Sequence, residues 1–370
     1  TSLTTDGPGT LAINSSVVKT TGLQTYGESL ALSAPVTTFT GGVVLQGASV
    51  VADHAVVFNG AVTVSAANVL IHTNGNLTFN STIDADLVST TNTQTLQLNS
   101  VGSGAGGVAG DISVSGAVGS ASHLLKTLEV VNSNSTTFAG AVSTGTSMVL
   151  TDTASSVAFN AGLSTPTFTV PIKSFALTLQ GAISVDNGIS LNNTGALTLK
   201  GTFTTGGNHA IALGQAGLTT TLLDNTSFNS GTATTTVNGN LNASSYTLGF
   251  SSPVQFSGAS TLTASTVTFS KSVLAGGVLT INGATAVNGG SVNSGIYKQI
   301  YNGNVTANSA GDTTFTGRAI EFSNKLDGTH GIYVIDDRTT LYKGDIGTIS
   351  APAHFETDAS GSSEFSGSFV

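Results

Sequence analysis

Apolar residues occupy every second position in many short runs of this chain. Ala61-Val62-Thr63-Val64-Ser65, Asn76-Leu77-Thr78-Phe79-Asn80 and Ala196-Leu197-Thr198-Leu199-Lys200 all alternate in this way. A period of two places one row of side chains on one face, so these runs predict short β-strands. Gly, Asn, Asp and Ser punctuate them, as in Thr73-Asn74-Gly75 and Asn238-Gly239-Asn240, and suit tight corners. No longer stretch carries the 3.6-residue period of an amphipathic helix.

A phrase recurs on top of the alternation: Thr, Ser or apolar residues, then Phe or Leu, a small polar residue, and Gly or another small residue. It reads Thr38-Phe39-Thr40-Gly41, Val57-Phe58-Asn59-Gly60, Thr78-Phe79-Asn80-Ser81, Thr137-Phe138-Ala139-Gly140 and Ala158-Phe159-Asn160-Ala161. Thr198-Leu199-Lys200-Gly201, Gln255-Phe256-Ser257-Gly258, Thr314-Phe315-Thr316-Gly317, Thr340-Leu341-Tyr342-Lys343 and Glu364-Phe365-Ser366-Gly367 read as further copies. The steps Phe39 to Phe58, Phe58 to Phe79 and Phe138 to Phe159 are 19, 21 and 21 residues. Phe79 to Phe138 spans 59, read as three steps, and Phe159 to Leu199 spans 40, read as two. A fixed period near ~20 marks a stacked repeat architecture. Two or three strands per period, with corners between, describe one coil of a parallel β-solenoid. About eighteen coils at ~4.8 Å each predict a rod of about 85–90 Å.

Composition agrees with ladders of strands. Only 8% of residues are charged, against a usual ~25%. Like charges stacked at the strand spacing repel, so neutral Thr, Ser and Asn suit the outer face. With 39% hydrophobic residues the chain has enough to bury. It has no cysteine, which excludes disulfides, thiolate metal sites and cysteine nucleophiles. The net charge is −9, and the ten Lys plus Arg are scattered, so no nucleic acid is expected as a partner. No apolar run approaches the ~20 residues of a membrane span, so no membrane insertion is expected. No signal peptide is visible and residue 1 is Thr, which predicts a processed form or an excised piece of something longer.

The expected organisation is a single solenoid over residues 1–370, with residues 310–370 as its more charged terminal coils. Arg318, Glu321, Lys325, Asp327, Asp336, Asp337, Arg338, Lys343, Asp345, Glu356, Asp358 and Glu364 lie there, with Asp312 13 of the chain's 29 (10 + 19) charged residues. Tyr297, Tyr301, Tyr333 and Tyr342 cluster nearby. The two ends also match. Under a shift of 352, Thr5 falls on Thr357, Asp6 on Asp358, Gly9 on Gly361, Ser16 on Ser368 and Val18 on Val370. The chain therefore begins and ends at one phase of a higher-order repeat.

Several phrases carry a resemblance. Ser2-Leu3-Thr4-Thr5-Asp6-Gly7-Pro8-Gly9-Thr10, Gly22-Leu23-Gln24-Thr25-Tyr26-Gly27, Gln299-Ile300-Tyr301-Asn302-Gly303-Asn304-Val305-Thr306 and Thr314-Phe315-Thr316-Gly317 resemble the long repeats of bacterial filamentous-haemagglutinin-like surface proteins. The match is strongest in residues 1–60 and 297–370. It implies a right-handed parallel β-solenoid, exported and displayed at or beyond the outer membrane, acting in adhesion or extracellular fibres. The family carries no shared catalytic residues over to this chain.

Candidate chemistry is sparse. Gly102, Gly104 and Gly107 spell G-x-G-x-x-G, but no helix follows, so the run reads as a glycine-rich loop rather than a dinucleotide site. Gly106-Gly107-Val108-Ala109-Gly110-Asp111 nearly imitates a calcium nonapeptide but occurs once and out of register. The densest polar group is Asp336-Asp337-Arg338 with His330 before it. Paired carboxylates on a solenoid are the acid–base apparatus of polysaccharide hydrolysis. Neighbours in a strand point to opposite faces, however, so the expectation is an outward turn with a local ion pair. Asp84 and Asp86 share a face if extended and read as solvated carboxylates or a cation site. His54, His72, His123, His209, His330 and His354 lack metal-ligand spacing. Asn14, Asn76, Asn80, Asn134, Asn192, Asn225, Asn242 and Asn304 begin N-x-S/T triplets, which this composition produces by chance. Tyr26 and Tyr301 occupy matching repeat positions, as corner aromatics packed on their neighbours or as platforms for sugars.

The sequence thus leads to a non-enzymatic extracellular structural or adhesive solenoid with no catalytic, cofactor or metal residue and no cofactor. Its expected partners are copies of itself end to end, or the continuation of a longer chain, and surface glycans on host or neighbouring cells. A carbohydrate-active β-helix enzyme and a phage tailspike-like glycan-binding rod are the alternatives.

Overall fold

The structure is a computed structural model that describes residues 1–86, 93–102, 109–120, 122–357 and 360–370. Gly104 and Gly107 of the glycine fingerprint, Gly106–Val108 of the calcium-like run, and Asp358 lie outside the described residues. Strands dominate, and no helix occurs among the described residues. The chain divides into two compact units, Thr1–Asp186 with Asn193–Ala196, and Asn187–Asn192 with Leu197–Val370.

The first unit is a parallel β-solenoid with three strands to the coil. One side is built from Leu3–Thr5, Gln24–Tyr26, Val43–Leu45, Val62–Val64 and Ile83–Ala85, hydrogen-bonded in that order. A second side carries Thr10–Ile13, Ser29–Leu32, Ser49–Ala52, Asn68–Thr73 and Thr95–Ser100, and a third Val17–Val18, Val36–Phe39, Ala55–Phe58, Leu77–Phe79 and Ile112–Val114. Each strand pairs in parallel with the strand one coil away. Phe39 stands beside Phe58 and Phe58 beside Phe79, steps of 19 and 21. The expectation of three steps between Phe79 and Phe138 is corrected. Phe79 pairs with Val114, 35 residues on, and Val114 pairs with Phe138 after 24 more. One long coil takes the place of two short ones.

The second unit is a solenoid of the same kind. One side is a nine-stranded parallel sheet running from Ile189–Leu191 to Phe355–Thr357. Ser260–Phe269 and Leu279–Val287 each run past a corner, and a register shift between Thr263 and Thr266 marks the bend.

The alternation read from the sequence explains the core. In Val62–Val64 the outer residues are buried and Thr63 is half-buried, and Leu77–Phe79 repeats the pattern. Because coils stack in register, like side chains stack on like. The rings of Phe39, Phe58 and Phe79 lie 5.0 Å apart at each step and nearly parallel. Phe138 stacks on Phe159 at 4.9 Å. In the second unit Phe203, Phe228, Phe250 and Phe269 form one row, and Tyr301, Phe322, Tyr342 and Phe365 another. Offset aromatic pairs at these separations add about 0.5–1.5 kcal/mol each beyond burial.

In several copies, though not at Gly258, which has open space around it, the glycine of the phrase has a steric cause. It follows the buried aromatic by two and sits where one coil's backbone passes close over the next. A Cβ on Gly60 would stand 2.2 Å from the carbonyl oxygen of Gly41, and one on Gly140 would meet Gly116 backbone at 2.5 Å. Gly303, Gly344 and Gly367, each two after a ring of the second row, meet backbone at 2.2–2.3 Å. Gly60→Ala should therefore destabilise the first unit by about 1–3 kcal/mol through forced coil separation. Thermal melting of the variant checks this, and an unchanged midpoint refutes the close approach.

One reading of the phrase is corrected by the structure. Thr340-Leu341-Tyr342-Lys343 presents Tyr342 to the core, with Leu341 half-buried beside it, so the copy is displaced by one residue. Phe256 and Phe315 lie on a different side of their coils from Phe228 and Phe322 and meet the aromatic rows edge-on.

Candidate functional site

Asp336, the centre of the densest polar group, is a buried carboxylate that fastens backbone. It closes the strand Ile332–Asp336 and is 3% exposed. Its Oδ1 accepts the N–H of Ala319 (2.9 Å) and of Arg338 (2.8 Å), and its Oδ2 accepts the N–H of Ile320 (2.8 Å) and the hydroxyl of Thr340 (2.8 Å). Burial alone would raise its pKa. The four donors outweigh that effect and hold it below the ordinary carboxylate value. Asp337 points the other way, into solvent, 3.6 Å from the Nε of Arg318. The expected outward turn with a local ion pair is thus half realised, with Arg318 rather than Arg338 as the cation and Asp336 turned inward. His330 is exposed and hydrogen-bonds through Nδ1 to Thr329, so it does not join the two carboxylates.

A second carboxylate holds the neighbouring corner. Asp327, 2% exposed, accepts the N–H groups of Ile349 (2.9 Å) and Ser350 (3.4 Å). Glu321 stands between two lysines on adjacent coils, 2.9 Å from Lys298 Nζ and 2.6 Å from Lys343 Nζ. The hydrogen bonds from Lys298 and Lys343 pull its pKa down to about 2. Because the folded value is depressed, this ladder stabilises fully above the ordinary glutamate value of 4.5 and is lost as pH falls towards 2. We expect wild type and Glu321→Gln to differ in melting temperature at pH 6 and to converge by pH 2. A constant difference across that range would refute the ladder.

Tyr26 and Tyr301 are 0% exposed and belong to the core, not to a sugar platform. Each donates its hydroxyl to a glutamine two residues earlier, Tyr26 to Gln24 Oε1 (2.9 Å) and Tyr301 to Gln299 Oε1 (2.7 Å). Each glutamine turns its amide to backbone, Gln24 to the carbonyl of Val18 and Gln299 to that of Thr316. Burial raises Tyr26 to a pKa of about 12 and pushes Tyr301 up as well. A Cβ on Gly41 or Gly317 would stand 3.1 Å from the glutamine Nε2 in either case. The two copies are one buried device. Its signal in the sequence is Gln-x-Tyr, a polar residue on the inward phase of a strand.

Asp84 and Asp86 do share a face, at the rim of a hollow of about 350 Å³ lined also by Leu23, Val44, Thr63 and His123. Asp84 accepts the Ser120 N–H at 2.8 Å and Asp86 the Ser65 hydroxyl at 2.6 Å, so each carboxylate links its coil to another segment. Asp111, the last residue of the calcium-like run, accepts from Ser135 Oγ, Asn134 Nδ2 and Ser135 N through one oxygen, and these bonds lower its pKa. In the second unit Tyr333 packs its ring 5.4 Å from His354, whose Nε2 lies 3.2 Å from Glu356, beside a hollow of about 210 Å³. Another hollow, of about 250 Å³, opens where Gly249 interrupts the row of Ser227 and Thr268. Among the described residues no three His, Cys, Asp or Glu come together as a metal site.

The class that this fold defines is the parallel β-solenoid repeat protein. No protein-family model, no curated protein and no solved structure matches the chain.

Proposed function

We propose that this chain is an extracellular structural or adhesive solenoid of the filamentous-haemagglutinin-like kind, displayed at or beyond a bacterial surface and without enzymatic activity. The observation that supports this reading most is the employment of its acids. Asp336, Asp327, Asp111, Asp84 and Asp86 are engaged in tying one segment to another, and Glu321 bridges two coils. An acid–base pair for glycoside cleavage needs two carboxyl groups facing one substrate, whereas Asp336 and Asp337 face opposite ways. The outer rows are short, neutral and polar, as a surface meant for contact without chemistry requires. The function follows from mechanics: hydrogen-bonded ladders around a stacked core make a stiff scaffold.

A glycan array probed with the purified 370-residue chain, run beside turnover assays on acidic polysaccharides, tests the reading. Expected are selective glycan binding or none, with no release of reducing ends. Sustained hydrolysis that Asp336→Ala leaves intact, but that Asp84→Asn or Glu356→Gln abolishes, would overturn it.

A further inference from the structure

A hollow of about 320 Å³ lies on the outer face of the nine-stranded sheet of the second unit. Its shape comes from the register of the strands. Gln255 stands beside Leu274, and Leu274 beside Asn293, so the three form one outward row. Two residues earlier on the same coils, Pro253, Ser272 and Ser291 form a second row, which Thr234 extends by one coil. Val254, Val273 and Val292, between the rows, point inward and are at most 2% exposed. Thr234 to Ser291 covers three coil steps, about 14 Å at the strand spacing. Further strands pair on both sides, Ile211–Leu213 with Thr235–Val237 and Thr313–Gly317 with Ser291–Asn293. The hollow therefore lies within the sheet, away from either edge.

The polar groups of the hollow are unused, unlike those of the row around the next corner. There Ser323 Oγ donates to Asn302 Oδ1 (3.2 Å), Asn302 Nδ2 to Asn282 Oδ1 (2.7 Å) and Asn282 Nδ2 to Thr263 Oγ1 (3.3 Å), so the outward side chains satisfy one another along the solenoid. In the hollow the side chains of Thr234, Gln255, Ser272 and Ser291 have no hydrogen-bond partner among the described residues. Asn293 accepts the Gly295 N–H through Oδ1 (2.8 Å), which leaves its Nδ2 to donate elsewhere. Between the amides of Gln255 and Asn293, Leu274 is 49% exposed. Every lining residue is neutral. A charged ligand would therefore lose hydration there without gaining a counter-charge. Free hydroxyls and amides suit a ligand dense in hydroxyl groups, and an amide offers a donor and an acceptor to neighbouring hydroxyls. Leu274 and Pro253 suit a ligand that also has an apolar face. A neutral sugar ring combines the two, with hydroxyls at its rim and C–H groups on its faces.

We propose that this hollow is a binding site for a neutral glycan, held by the Gln255 and Asn293 amides and the Ser272 and Ser291 hydroxyls, with a ring face laid on Leu274. This rests on the adhesive form of the reading above and names its ligand class. Saturation-transfer NMR on the 370-residue chain tests it, with cellohexaose, laminarihexaose and mannohexaose as neutral probes and hexagalacturonate as the acidic one. At least one neutral probe should bind, and hexagalacturonate should not. Gln255→Ala and Leu274→Ala should each weaken that binding about tenfold, the loss expected of one hydrogen bond or one apolar contact. Both residues are exposed, so both variants should keep the wild-type circular dichroism. Thr280→Ala, around the corner beside Thr261, should leave binding unchanged. Binding of hexagalacturonate alone, binding of no probe, or neutral binding that neither variant weakens overturns the site and leaves the structural reading standing. Binding through Gln255 and Leu274 accompanied by release of reducing ends overturns the non-enzymatic reading and leaves the site standing.

Discussion

Phe58→Ala should be among the most damaging substitutions in the first unit, lowering stability by about 3–5 kcal/mol. Phe58 is fully buried and is the middle ring of three, 5.0 Å from Phe39 on one side and from Phe79 on the other. Truncation removes two ring contacts at once and leaves a cavity that cannot collapse. The coils above and below are held by their own backbone ladders, so they cannot close over the gap. Denaturant unfolding monitored by circular dichroism measures the loss. Phe58→Leu, which keeps most of the volume, should recover more than half of it. A loss below ~1 kcal/mol would mean that the row is not a continuous packed stack.

Asp336→Ala should cost on the order of 4 kcal/mol in the second unit. The carboxylate serves three backbone N–H groups and one hydroxyl, and its removal strands buried donors from two coils at once. Asp336→Asn should fall between the two, because its amide nitrogen must face at least one donor. The pH dependence gives a second readout. The folded pKa is depressed, so the contribution is complete above the ordinary aspartate value and disappears as pH falls through the depressed one. The melting temperature of wild type should therefore fall on acidification more steeply than that of Asp336→Ala. Parallel curves would show that the charge is not what holds the corner.

The fold was largely legible because its two periods are written in different residues. Alternation in runs such as Val62-Thr63-Val64 gives the strand, and recurrence of Phe39, Phe58 and Phe79 gives the coil. The steric reason for Phe-x-Gly adds a third mark, since the glycine reports where neighbouring coils touch. What stayed hidden depends on contacts that no single strand encodes. The long coil between Leu77 and Ile112 broke the count, because nothing in a loop's composition says how many periods it replaces. In Thr340-Leu341-Tyr342-Lys343 the phrase points to Leu341, the more apolar residue, whereas the register places Tyr342 beside Phe322 and Phe365. The inward turn of Asp336 was illegible for a similar reason. A carboxylate at a strand end looks solvated until the donors it serves, on a coil 16 and 17 residues earlier, are brought beside it. Gln24 and Gln299 are marked in the sequence only by their inward phase, two residues before Tyr26 and Tyr301.

The even step between paired strands has a consequence for how the chain reaches its native state. All-β proteins ordinarily fold slowly because distant segments must find one another. Here the partners lie 19 residues away at Val254 and Val273, 21 at Val62 and Ile83, and 24 at Ile211 and Thr235. Closures of this length are local and nearly equal in entropic cost, and the 35-residue step from Leu77 to Ile112 is a long exception, so assembly can start at many rungs and spread in both directions, with a kinetic profile closer to that of a helical repeat array than to that of a sandwich.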